Sequence, residues 1–455
     1  MYTPQIEPRS TLTLPEPQVY RSILYFFRCI MQPYARALHF SEPVMLSPER
    51  MTETWRDFNE GKSRLIIGFR HAYGDDPQLM AYTIHHVLPK AARKLKKPLK
   101  GLTHAHFIYG VEVPLWSGPF VKWLLPRAGA VPVDHIHMDT KGMNRIRTII
   151  CDGDFPLALA PEGHVTYNSN HVPHLETGTA RFGFWCVEDL EKKNRTEDVI
   201  FLPISTHYQY KDSTRKKLSH FIADMEKICN LEPLPKLREI PDIRKRLEKT
   251  GKAIQKHIVA YYTELNARDF PDTAENLVDQ ALYAAERILA ITPLSDEKAI
   301  SRLYKIRSKA WGRIFRSDLD SLTLLEKELA SRKTGEAWFA MRHMETAELL
   351  LYVDLTQVSE NADLDTCWEI ASNYFDYIER LKGGTLRNRA TIVQRKAYII
   401  PGEPIRINDY LEEYKKDKKT AMQNVTNDMK KNFENCVDEY KLSAPKRVGS
   451  KRKKQ

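Results

Sequence analysis

The chain has 455 residues, 42% hydrophobic and 28% charged. That is enough apolar material for a folded interior, and too much length for one core, since single cores stop growing near about 250 residues. Lys and Arg outnumber Asp and Glu by 70 to 59, a formal net charge of +11, which excludes an acidic solvating chain and favours anionic partners.

The six cysteines, Cys29, Cys151, Cys186, Cys229, Cys367 and Cys436, form no C-x-x-C pair and no framework spacing. A disulfide scaffold is therefore excluded and a reducing, cytoplasmic setting is expected. No stretch approaches the roughly 18 to 20 uncharged apolar residues that cross a bilayer, and the start lacks a signal-peptide pattern.

In chain order, Val19 to Phe40 mixes Ile23, Leu24, Tyr25, Phe26, Phe27, Ile30 and Met31 with Arg21, Arg28 and Arg36. It reads either as a helix lying in a headgroup layer or as one packed on its own domain. From Leu65 to about Tyr210, strands and helices alternate. Strands are predicted at Leu65 to Phe69, His106 to Val111, Ala130 to Val133, Leu157 to Ala160 and Val199 to Ile204, with helices at Pro77 to Leu88, Gly118 to Leu125 and Gly142 to Cys151. This alternation predicts an α/β sandwich with much parallel pairing.

Beyond Asp212 helical spacing takes over in Leu218 to Asn230, Ile240 to Asn266, Thr273 to Ala290, Ser295 to Ser331, Thr334 to Leu355 and Asp363 to Leu381, stopping at Gly383 and Gly384. Trp311, Phe315, Trp338, Phe339 and Trp368 are its expected core. Thr391 to Ile400 is strand-like again, and a charged helix follows from about Asn408 to Tyr440. The expected organisation is an N-terminal interface or docking helix (1–40), an α/β core (41–212), an all-helical insertion (213–387), a final strand and helix of the core (388–440) and a basic disordered tail (441–455).

The chemistry concentrates in two strand-end turns. In Arg70-His71-Ala72-Tyr73-Gly74-Asp75-Asp76-Pro77, Pro77 suits a first helical position and Asp76 its N-cap. A tight turn through Gly74 would bring the Asp76 carboxylate to the His71 imidazole, fixing its tautomer and stabilising the imidazolium of a general base. In Leu157-Ala158-Leu159-Ala160-Pro161-Glu162-Gly163-His164, Glu162 could accept a hydrogen bond from a substrate hydroxyl. Gly163 could let backbone N–H groups approach an anionic oxygen. Ligands of open α/β sheets bind outside the carboxyl ends of strands, so both turns should face one crevice.

Together these segments resemble the glycerolipid acyltransferases of the lysophosphatidate acyltransferase type, marked by His-x4-Asp and a later Pro-Glu-Gly block. Gly129-Ala130-Val131-Pro132-Val133-Asp134-His135, Leu175 to Ala180, Phe201-Leu202-Pro203-Ile204 and Gly402-Glu403-Pro404-Ile405 are similar to further family blocks, in the family's order. The resemblance covers about residues 40 to 212 and 388 to 440 and implies an acyltransferase-type α/β sandwich. It implies transfer of a fatty acyl group from acyl-CoA or an acyl carrier protein to a hydroxyl of a lysophosphatidate-like lysolipid, with His71 as general base oriented by Asp76. No cofactor and no metal are implied.

Pro161, Glu162, Gly163, His135, Arg127 and Arg181 are the expected acceptor-binding residues, at the inner face of a membrane. The family's two phosphate-binding arginines correspond to His135 and Val165 here. Either other cations, among Arg70, Arg127, Lys141, Arg145 and Arg181, replace them, or the acceptor carries no phosphate monoester.

Eleven of the fifteen histidines fall between His71 and His207, including His104-x-His106 and His135-x-His137. This supports a second reading, a metal-dependent hydrolase, although H-E-x-x-H is absent. A third reading makes the helical block a partner-binding module. No basic stripe with interleaved aromatics supports nucleic-acid binding outside the tail.

Overall fold

The structure is a computed structural model that describes residues 7–12, 15–37, 40–41, 43–134, 140–356, 358–384 and 393–443. The chain divides into two compact units: one of residues 15–133, 139–212 and 392–455, the other of residues 1–14, 134–138 and 213–391. Ten strands occur among the described residues: β1 (Arg9–Ser10), β2 (Val44–Met45), β3 (Ser63–Phe69), β4 (His106–Gly110), β5 (Val131–Val133), β6 (Leu157–Leu159), β7 (Asp198–Tyr210), β8 (Phe315–Arg316), β9 (Arg395–Pro401) and β10 (Ile405–Arg406).

The first unit is built on a mostly parallel eight-stranded sheet of order β2-β9-β7-β3-β6-β4-β5, with β10 paired to β7. Strands β7, β3, β6, β4 and β5 run parallel, so their carboxyl ends share one edge. Strand β9 is antiparallel to β7 in a register that sets Arg395 opposite Tyr210, so the first residue of β9 lies at that same edge.

The strands are apolar on both faces, as a sheet covered twice requires. Leu65, Ile67, Phe69, Leu202 and Ile204 enter one core with Trp55, Leu79 and Ile84. Ile66, Leu157, Leu159, Val199 and Phe201 enter the other with Ile146, Phe184 and Phe433. Gly68 is required where β3 crosses the Phe201 ring, which any Cβ at that position would strike.

The chain returns to the sheet in β9 and leaves that strand through Gly402. Its N–H donates to Pro203 O at 2.8 Å, and a Cβ there would meet Asn432, Pro203 and Cys436. The expected helix after β3 is interrupted: Asp76–Tyr82 passes through a π-turn, Thr83–Val87, before Leu88–Lys94.

The second unit packs the helices Arg215–Ile228, Ile240–Asn266, Ala274–Leu289, Ala299–Ile314, Leu324–Tyr352 and Leu364–Leu381, and β1 pairs with β8 within it. The expected continuous run from Ser295 to Ser331 is broken between Ile314 and Leu324. Thr323 and Glu326 form a reciprocal capping box that starts a new helix there. Gly383 does end the last helix, at φ +82° with its N–H on Arg380 O. Trp311 and Trp368 are buried, whereas Phe339, expected in the core, is exposed. No helix among the described residues is long and apolar enough to cross a membrane.

Candidate active site

Strands β3 and β6 are hydrogen-bonded neighbours, with Gly68 beside Leu159. The turns that leave them therefore start about 5 Å apart. This adjacency brings together Arg70-His71 and Pro161-Glu162-Gly163, which stand some ninety residues apart in the chain.

Glu162 is the junction. It is fully buried, one carboxylate oxygen accepts from Arg70 Nε, and the other accepts the His71 backbone N–H at 2.7 Å. The Arg70 guanidinium also donates to Asn168 O at 3.0 Å and His171 O at 2.7 Å, and Thr166 N–H donates to His71 O at 2.9 Å. Each strand-end turn is thus held by the other.

The His71 imidazole stands over this junction, 18% exposed, with Nδ1 3.9 Å from Asp76 Oδ2. Nδ1 is buried and makes no hydrogen bond at this separation. Catalytic contacts are often long without substrate and tighten when it binds. Asp76 is fully buried and oriented by other donors. Its Oδ2 accepts Tyr73 N–H at 2.7 Å, and its Oδ1 accepts the Tyr208 hydroxyl and, at 3.3 Å, the Thr206 hydroxyl. Burial beside Asp76 holds the Tyr208 hydroxyl well above its ordinary pKa, so it remains a donor.

Behind Asp76 lies Arg395, buried and paired with Asp75, its guanidinium 4.3 to 4.8 Å from the ring centres of Tyr208, Phe40 and Tyr73. A residue that follows the helical block in sequence therefore buttresses the turn that carries His71.

Three expectations are corrected. Asp76 is the first residue of its helix and Asp75 holds the cap position without a side-chain cap bond, because the Asp76 carboxylate is turned back onto Tyr73 and Tyr208. Glu162 has both oxygens engaged by the protein and no exposed surface, so it positions His71 and does not meet an acceptor hydroxyl. Gly163 is exposed at φ +75°, but its N–H is spent on Ala160 O at 3.1 Å.

Pro161 O accepts Glu176 N–H at 2.8 Å, tethering the turn to the segment that opens the helix Gly178–Lys192. Arg181 is exposed in that helix's first turn. Arg127 is committed to its own helix, with its guanidinium on Trp123 O at 3.0 Å and 5.1 Å from the Trp123 ring centre. Arg70 is consumed by Glu162, and Arg145 is held by Glu16. His135 lies outside the described residues.

His104 and His106 are spent on backbone carbonyls and a neighbouring ring, and His135 and His137 lie outside the described residues. His104 Nε2 donates to Ala128 O at 2.8 Å, which leaves its Nδ1 to accept from His85 Nε2 at 3.1 Å; His106 Nδ1 donates to Gly129 O at 2.8 Å. Burial pushes His85 down to about 3, holds His104 well below its ordinary value and lowers His106. Among the described residues no group of three or more His, Cys, Asp or Glu side chains is arranged to hold a metal ion.

Thr206, Tyr208 and Arg395 were not singled out from the sequence. The signal for the first two was the alternation along β7, where Thr206 and Tyr208 continue the face of Leu202 and Ile204. No known protein-family model matches the chain, and no curated protein matches it.

Proposed function

We propose that this protein is an O-acyltransferase with the α/β sandwich of the lysophosphatidate acyltransferase type. It would move a fatty acyl group from acyl-CoA or an acyl carrier protein to a hydroxyl of a lysophosphatidate-like glycerolipid. The observation that carries the reading is the part-exposed His71 imidazole at a strand's carboxyl end, 3.9 Å from a buried carboxylate already fixed by three protein donors.

With its Nδ1–H toward Asp76, the ring presents the Nε2 lone pair to an acceptor hydroxyl. Nε2 takes the proton as the oxygen attacks the thioester carbonyl, the tetrahedral adduct expels the thiolate, and the thiolate recovers the proton. An ester and a thiol are the products, and Asp76 stabilises the transient imidazolium. Holding base and acceptor in one crevice converts a bimolecular encounter into an oriented one. Arg181, beside the turn tethered through Pro161, is the proposed contact for an acceptor anion, with His135 as a further candidate.

The test is to incubate the purified chain with radiolabelled palmitoyl-CoA or palmitoyl acyl carrier protein and a panel of lyso-lipids with and without a phosphate monoester. Label appearing in one diacyl product supports the proposal. A folded protein that acylates none of them with either donor defeats it.

A further inference from the structure

We infer that the helices Arg21–Ala37 and Pro119–Arg127 form one docking surface for an anionic lipid bilayer. The first helix buries Leu24, Met31 and Ala35, and Met31 and Ala35 pack with Phe27 on Tyr82. This leaves Tyr25 at 54% and Phe26 at 56% exposed, with the preceding Tyr20 also in solvent. The second helix buries only Leu124 and exposes Phe120 at 51% and Trp123 at 43%.

The two helices meet. Gln18 N–H donates to Pro126 O at 2.7 Å and Tyr20 N–H to Arg127 O at 3.1 Å, joining the start of the first to the end of the second. Arg127 lies over Trp123 at that junction. Histidines tie both helices to the unit: His86 Nε2 donates to Arg28 O at 2.8 Å in the middle of the first, and His104 and His106 donate to Ala128 O and Gly129 O just after the second. The platform is therefore built into the α/β unit.

Four exposed aromatic residues on two joined helices, with Tyr20 beside them, exceed the scattered apolar exposure of an ordinary surface. The charge of the two helices names the occupant. They carry Arg21, Arg28, Arg36, Lys122 and Arg127 and contain no Asp or Glu. Asp154 reaches Arg21 at 3.6 Å, but both side chains are more than 70% exposed, so the pair is screened and offsets little. Trp and Tyr prefer the headgroup level, Phe reaches the acyl boundary, and arginine pairs with lipid phosphate, which together describe an interfacial helix.

The inference does not rest on the transferase proposal, and its test uses no acyl donor. The full chain is floated with vesicles of phosphatidylcholine alone and with about one third phosphatidylglycerol, at low and high salt. The expected result is recovery with the anionic vesicles that weakens as salt rises. Roughly tenfold or greater loss of binding is expected in a Phe26→Ser, Trp123→Ser double variant whose melting temperature is unchanged. In a second variant, Arg21→Glu with Lys122→Glu, the preference for anionic vesicles should disappear with the aromatic residues intact. Absence of flotation, or equal flotation of the wild type and both variants, overturns the inference. So does a concentration-dependent dimer abolished by the same substitutions, which would make the surface an interface between copies of this chain.

Discussion

Replacing Glu162 with alanine removes the acceptor shared by Arg70 Nε and the His71 N–H in a site where both side chains of the ion pair are fully buried. Breaking a buried pair by deleting one partner costs about 3–5 kcal/mol, because the remaining charge is left uncompensated. At about 2–4 °C per kcal/mol for a unit of this size, the α/β unit should melt roughly 6–20 °C lower. Turnover should fall as well, because His71 loses the bond that fixes its backbone. The assay is a thermal melt followed by near-ultraviolet circular dichroism, with initial rates of acyl transfer measured below the lowered transition. A direct acceptor contact would give a different pattern, a raised KM with the melt unmoved. A shift smaller than about 3 °C would refute the assignment of Glu162 as the clamp between the two turns.

Two other consequences follow from the same geometry. Tyr208→Phe removes a hydrogen bond to the Asp76 carboxylate while leaving those from Tyr73 and Thr206. Bonds to charged groups contribute about 1.5–3 kcal/mol, so turnover should drop by roughly tenfold with KM unchanged, read from steady-state kinetics; an unchanged turnover number would remove Tyr208 from the positioning chain. The buried histidines set an acid limit. The folded value of His85 is about 3 against an ordinary 6.5, with burial the main cause and His86 and Arg28 adding to it. The unfolded chain thus binds more protons below 6.5, so stability is full above that pH and is lost as pH falls toward 3. Between about pH 6.5 and about pH 5 the neutral burial of His85 should cost about 2 kcal/mol of stability, measurable as a falling urea midpoint; a flat midpoint over that window would contradict it.

The parallel sheet was legible because its strands are short apolar runs bounded by turns, and Leu65–Phe69, Leu157–Leu159 and Val131–Val133 fall where that pattern puts them. Two-residue strands such as Val44–Met45 and Ile405–Arg406 carry no measurable period and exist through pairing with β9 and β7. The helical block was legible from its spacing, while the break between Ile314 and Leu324 depends on a capping box that a broad apolar pattern hides.

At the site, the spacing of His71 and Asp76 and the turn at Pro161 were readable as local text. Their supports were not. Arg395 stands 320 residues from Asp75, and no local pattern announces a partner at that range. Glu162 was misassigned for a related reason: a glutamate in a turn reads as solvated until the buried Arg70 opposite is known.

The most direct measurement is the rate of acyl transfer by the His71→Ala variant against wild type, with melting temperatures alongside. The imidazole is part-exposed and its Nδ1 makes no hydrogen bond in the resting site, so the melt should hardly move. Loss of the general base should lower turnover by about 10²- to 10⁴-fold. A variant that folds as wild type and still transfers acyl groups at near-normal turnover would contradict the account.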